Sequence, residues 1–256
     1  MTPPAQPTDP APRLLPDSLQ WLPLQGRAEQ LMLLLHGGGA CAADMAPLAR
    51  QLRLAFPQAA LLAPEGFEPA DAGASGRQWF SLQGITEANR PVRVAAVLPR
   101  LSAWVRAAQA ATGLGQAATA LVGFSQGAIL ALELVQAEDG IAGRVLAFAG
   151  RYATLPSLAP AQTTLHLFHG AGDAVIPAAQ SRLAIERLAA LQGDATIDIV
   201  QGLGHALSPA LVASAIERLQ THIPHRTWAA ALGQVPGLHG RPGPDDSPDD
   251  SPDDSP

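Results

Sequence analysis

The chain contains no lysine: all sixteen of its basic residues are arginine, and alanine is abundant, which reads as a coding bias. It has one cysteine, Cys41, so an intramolecular disulfide and a thiolate metal cluster are both excluded. Charge is sparse at 15% of residues, there is no basic cluster and the formal net charge is −6. A nucleic-acid surface is therefore not expected. No apolar run approaches the roughly 18 to 20 residues of a membrane span. Residues 1–16 are rich in proline and lack the apolar segment of a signal peptide. These absences together predict a soluble, cytoplasmic protein.

What remains is enough for one sizeable core: 256 residues, 47% of them hydrophobic. The expected division is a disordered proline-rich leader over 1–16, a catalytic domain over 17–228, and a disordered extension over 229–256. The extension ends in three copies of Pro-Asp-Asp-Ser and a final proline, Pro244 to Pro256, which cannot build a core. Six of the 22 acidic residues lie in those repeats, leaving sixteen against sixteen arginines in the body. The acidity belongs to the tail. It reads as a solvated low-complexity segment before it reads as a docking element.

Between these ends, apolar strand-like runs alternate with helical patterns. Leu19 to Leu24 and Glu29 to His36 suggest an early hairpin turning at Gly26. Ala46 to Leu54 reads as a helix, Ala59 to Ala63 as a strand, and Val92 to Thr112 as a long helix ending near Gly113. Further strands are expected at Ala118 to Val122, Val145 to Ala149, Thr164 to Phe168 and Thr196 to Val200. Helices are expected at Ala128 to Val135, Ala178 to Leu191 and Pro209 to His222, the last with proline well placed in its first turn. Parallel strands need crossover connections, and this alternation supplies helices for them. The predicted class is α/β: a doubly wound, mostly parallel sheet with helices on both faces and no separate lid domain.

The chemistry concentrates at Gly123-Phe124-Ser125-Gln126-Gly127, between a strand pattern and a helix pattern. A turn from strand straight into helix is so tight that side chains two positions either side of the serine collide, hence the glycines. Ser125 is then a candidate nucleophile, held at the carboxyl end of a parallel sheet. A serine hydroxyl needs a base to take its proton and a carboxylate to orient the base. Asp173 follows the strand ending at Phe168, and His205 follows the strand ending at Val200. Singly, the aspartate could be a helix cap and the histidine surface decoration. Together, in the order Ser125, Asp173, His205, they match the α/β-hydrolase fold.

An ester or acyl transfer also needs backbone N–H groups for the developing oxyanion. Gln126, the residue after the serine, offers one. Gly38, in the His36-Gly37-Gly38-Gly39 loop after an early strand, offers the other. That loop lacks the lysine of a phosphate loop. Trp79 and Phe80 read either as core or as walls of an acyl pocket. His36 and His169 read as structural, and the spacing of the histidines resembles no zinc pattern, so no metal is expected.

Taken together, Leu35 to Gly39, Gly76 to Ser81, Gly123 to Ala128, Phe168 to Asp173 and Gly204-His205 resemble the phospholipase/carboxylesterase and acyl-protein thioesterase family of serine hydrolases. Arg77 to Ser81 with Gly84-Ile85-Thr86, and Phe148 to Tyr152, look more like its bacterial YpfH-type esterase branch. Gly38 and Ala40 depart from the His-Gly-Leu-Gly-Asp usual in the thioesterases. The resemblance implies an α/β-hydrolase cleaving carboxyl esters or thioesters of modest size without a cofactor, with Ser125, Asp173 and His205 as triad. Acyl-protein thioesterase or lysophospholipase activity is the alternative within the family. A catalytically silent interaction protein and an amidase are the alternatives outside it. The expected partner is a small-molecule ester or thioester, and a homodimer stays open.

Overall fold

The computed structural model describes residues 15, 18–71 and 75–232. Apart from residue 15, the expected leader lies outside the described residues, and so do the Pro-Asp-Asp-Ser repeats. The chain parts into two compact units, 1–222 and 223–256. The second is described only through one short helix, and the boundary expected at 228–229 falls inside that helix.

The first unit runs β1 (Ser18–Trp21), β2 (Gln30–Leu35), α1 (Ala46–Ala55), β3 (Ala59–Pro64), β4 (Glu68–Pro69), β5 (Arg77–Gln78), α2 (Arg90–Thr112) and β6 (Thr119–Phe124). It continues with α3 (Gln126–Ala137), β7 (Arg144–Phe148), β8 (Thr164–Gly170), α4 (Ala179–Ala190), β9 (Ala195–Val200) and α5 (Pro209–Thr221). The short helix of the second unit is α6 (His225–Ala231). Seven strands form one sheet in the order β1-β3-β2-β6-β7-β8-β9, and β4 pairs with β5 as a separate two-stranded ribbon. All pairings in the large sheet are parallel except β1 with β3.

The early hairpin is therefore corrected: β3 lies between β1 and β2. Every residue of β3 is buried, so it takes a neighbour on both sides, and the partly exposed β1 is left as an antiparallel edge. A second correction concerns β7 and β8. They are parallel, but the segment that joins them, 149–163, contains no helix.

Side-chain alternation feeds two cores. Leu31, Leu33 and Leu35 of β2 face one layer with Leu101 and Val105 of α2 and Leu130 of α3. Met32 and Leu34 face the other, with Leu48 and Leu52 of α1 and Leu211 of α5. Strands buried on both faces read as continuous apolar runs, as β2, β3 and β6 do. Local signals fix the helix ends. Gly113 adopts φ 70° after α2, and the Ser208 side chain accepts the Leu211 N–H at the start of α5. No helix among the described residues is long and apolar enough to cross a membrane.

The strand order also fixes where a ligand can sit. From β2 the chain moves outward to β3, then crosses back to β6 on the other side of β2. The carboxyl ends of β2 and β6 thus flank the topological switch point, where open α/β sheets leave a crevice.

Candidate active site

Ser125 stands at the end of β6 with φ 52° and ψ −114°, and α3 begins at the next residue. Positive φ at a non-glycine residue is strained by about 1–3 kcal/mol. Neighbours hold it there: the Ser125 N–H donates to Phe148 O at 2.9 Å, and its carbonyl accepts the N–H groups of Ala128 and Ile129. The flanking glycines have no room for a side chain. A Cβ at Gly123 would strike the Gly127 carbonyl, and one at Gly127 would strike the carbonyl of Leu35.

The loops after β8 and β9 meet by the same device. A Cβ at Gly170 would lie 2.5 Å from the carbonyl oxygens of Leu203 and Gly204. Without one, Ala171 N–H reaches Val200 O at 2.9 Å and Gly172 N–H reaches Leu203 O at 2.8 Å. Asp173 and His205 are joined across that seam. His205 Nδ1 lies 2.7 Å from Asp173 Oδ2, and His205 Nε2 lies 2.9 Å from Ser125 Oγ. A carboxylate only accepts, so Nδ1–H donates to it and Nε2 is left to accept the serine proton. The Phe124 ring, centred 5.0 Å from the imidazole, backs the histidine. Burial pushes the Asp173 carboxyl up, but bonds from His205 and from the N–H groups of Ile176 and Val175 outweigh it and hold it below the usual carboxylate range.

The glycine loop after β2 lies against this group. A Cβ at Gly37 would be 3.4 Å from Ser125 Cβ, and one at Gly38 would be 3.3 Å from Gln126 Oε1. The Gly39 and Ala40 N–H groups are used within the scaffold, on Arg77 O and Gly37 O. Gly38 is exposed, and the amide of Gln126 opens the first turn of α3, where helix N–H groups lack internal partners.

His36 is a pin. Its Nδ1–H donates to Gly37 O at 2.7 Å, its Nε2 accepts the Gly66 N–H at 2.8 Å, and burial lowers its pKa. Trp79 completes the pin, its Nε1–H donating to His36 O at 2.8 Å. The indole is fully buried and Phe80 keeps only 3% of its surface. Of the two readings left open for Trp79, core or pocket wall, its full burial and its bond to His36 favour a support beneath the glycine loop. Among the described residues no group of three or more His, Cys, Asp or Glu side chains is placed to hold a metal ion.

Two side-chain roles went unseen in the sequence. The Gln126 side chain accepts the Trp79 N–H at 2.8 Å and donates to Phe80 O at 2.7 Å. Asp71 gathers the Gln78 and Ser81 side chains and the Leu82 and Gln83 N–H groups. The bonds from Gln78 and Ser81 lead in holding its pKa down to about 2. Both residues fix a segment with no periodicity, so no sequence pattern marks them.

Comparison with known proteins identifies relatives of the chain as a whole. A model of the phospholipase/carboxylesterase family matches residues 23–223. The chain is 45% identical to esterase YpfH of Escherichia coli (strain K12) over 219 residues, 86% of this chain and 92% of that one. The crystal structure of esterase PE8 is 30% identical, with a TM-score of 0.72 covering 80% of this chain and 97% of that one. A Bacillus cereus carboxylesterase shares the fold at 18% identity and a TM-score of 0.67, covering 79% and 92%.

Proposed function

The chain belongs to the phospholipase/carboxylesterase family and is a hydrolase acting on esters, and from that premise we propose a serine carboxylesterase in which Ser125 is the nucleophile, His205 the base and Asp173 its orienting acid. One observation carries the reading: the continuous run of hydrogen bonds from Asp173 through His205 to Ser125, at 2.7 and 2.9 Å, on a serine held at positive φ.

In this reading Ser125 Oγ attacks the ester carbonyl carbon while its proton passes to His205 Nε2. The carbonyl oxygen becomes an oxyanion and takes the N–H groups of Gly38 and Gln126. Asp173 stabilises the imidazolium without taking its proton. As the tetrahedral intermediate collapses, His205 protonates the departing alcohol and the acyl group stays on Oγ. Water then attacks the acyl-serine, gives its proton to His205, and the acid leaves as that proton returns to Ser125.

Acyl chains of short to medium length fit best. The His205 side chain keeps 17% of its surface exposed, so the reacting pair lies near solvent, and the buried Trp79 forms no tunnel wall. Apolar gain of about 0.8 kcal/mol per buried methylene should then stop accumulating after a few carbons. A series of p-nitrophenyl and coenzyme A acyl esters tests both length and leaving group. Turnover should peak between roughly two and eight carbons, the range over which a shallow site still buries methylenes. Rates that climb steadily to sixteen carbons would contradict the open site, and a general preference for the coenzyme A series would make thioesters the natural substrates.

A further inference from the structure

A second histidine reaches the same carboxylate. His169, the penultimate residue of β8, is fully buried, and its Nε2 lies 3.2 Å from Asp173 Oδ2, the oxygen that also receives His205. The same Nε2 lies 2.7 Å from Ile176 O. A carbonyl can only accept, so Nε2 carries the proton and donates it to Ile176 O, with the carboxylate oxygen 3.2 Å from the same nitrogen. In the neutral ring Nδ1 is then bare and accepts the Ser181 hydroxyl, 2.7 Å away on the first turn of α4. The Asp173 carboxylate has about four acceptor sites. Val175 N–H and Ile176 N–H fill those on Oδ1, His205 fills one on Oδ2, and His169 Nε2 stands 3.2 Å from the same oxygen.

We infer that His169 is a positioning residue for the hydrolysis: its Nε2–H, fixed in place by Ser181 and Ile176, holds the Asp173 carboxylate toward His205 and draws charge from the oxygen that orients the base. The inference rests on the serine-hydrolase reading above. It has two separable consequences. Without the His169 proton the carboxylate can rotate away from His205, which lowers turnover. Oδ2 also keeps more negative charge, which favours the imidazolium, so His205 gives up its proton only at higher pH.

The test compares His169→Leu and His169→Gln with wild type on p-nitrophenyl butyrate. Gln can return an N–H near the Nε2 position; Leu cannot. Losing the polar N–H beside the carboxylate should lower kcat by about tenfold, the scale of one polar contact to a charged group. For His169→Leu that loss should come with KM little changed and the acid limb of the pH profile moved to higher pH. His169→Gln should recover most of both. A folded His169→Leu with wild-type kcat and pH profile would overturn the inference, as would a loss of rate that leaves the pH profile where it was, since packing alone does that. Ser181→Ala covers the case in which His169→Leu does not fold: it frees the ring to change tautomer, and should move the acid limb the same way by less. An unmoved limb there also counts against the role. Ser125→Ala, assayed beside them, separates the two readings. If it kept activity, the serine mechanism itself would fail; if it is inactive while the His169 variants match wild type, only the positioning role fails.

Discussion

The side-chain oxygen of Gln126 accepts the backbone N–H of Trp79 at 2.8 Å, which ties the residue after the candidate nucleophile to the segment that supports the glycine loop. The other end of the same amide donates to Phe80 O, so one side chain satisfies two buried backbone groups. Gln126→Ala leaves both without partners. It should lower stability by about 1–3 kcal/mol per orphaned group at most, and lower kcat by loosening Gly38. Thermal melting and ester turnover measured together check this; unchanged values in both would show that the clamp is dispensable.

Ser125 offers a direct reading of strain. Its φ of 52° suits glycine, so Ser125→Gly should relieve the strain, while Ser125→Ala keeps it. Both variants should be inactive. The glycine variant should be the more stable of the two by about 1 kcal/mol, after its greater unfolded-state entropy is set against the relieved strain. Equal melting temperatures would mean that the serine backbone is not strained.

The sequence made Ser125, Asp173 and His205 legible because each follows a strand pattern, strongly apolar in β6 and β8 and alternating in β9, and steric need writes glycine beside them. Local pairing was less legible. The turn at Gly26 suggested a hairpin, but the choice of β3 as partner for both β1 and β2 depends on burial across the sheet, which no neighbouring residue records. Trp79 could be read either way for a related reason. Whether an aromatic side chain on an aperiodic segment faces core or crevice is decided here by the distant carbonyl of His36. His169 and Asp173 are four residues apart, yet their contact exists only because the chain turns back at Gly170 and Gly172.

Asp71 predicts a pH effect on stability. Its folded pKa is about 2, below the roughly 3.9 of an unfolded aspartate, so its contribution is present above the unfolded value and is lost as pH falls from about 4 toward 2. Asp71→Asn should therefore narrow the stability difference between neutral pH and pH 3. A melting curve in which wild type and variant lose stability in parallel over that window would contradict it.

Asp173→Asn should retain the fold and lose roughly 10⁴-fold in kcat, because the amide favours the wrong imidazole tautomer. Wild-type activity should rise with pH, because the mechanism needs its general base unprotonated. Asp173, held below the usual carboxylate range, should add no second loss until the solution is more acid still. A variant nearly as active as wild type would send the search to another carboxylate.

The measurement that bears most directly on the account is covalent labelling by a fluorophosphonate, followed by peptide mapping. One label per chain is predicted, carried by Ser125 within Gly123 to Gly127, formed in step with the loss of p-nitrophenyl butyrate hydrolysis and absent from Ser125→Ala. A label on any other residue, or hydrolysis that survives complete labelling of Ser125, would contradict it.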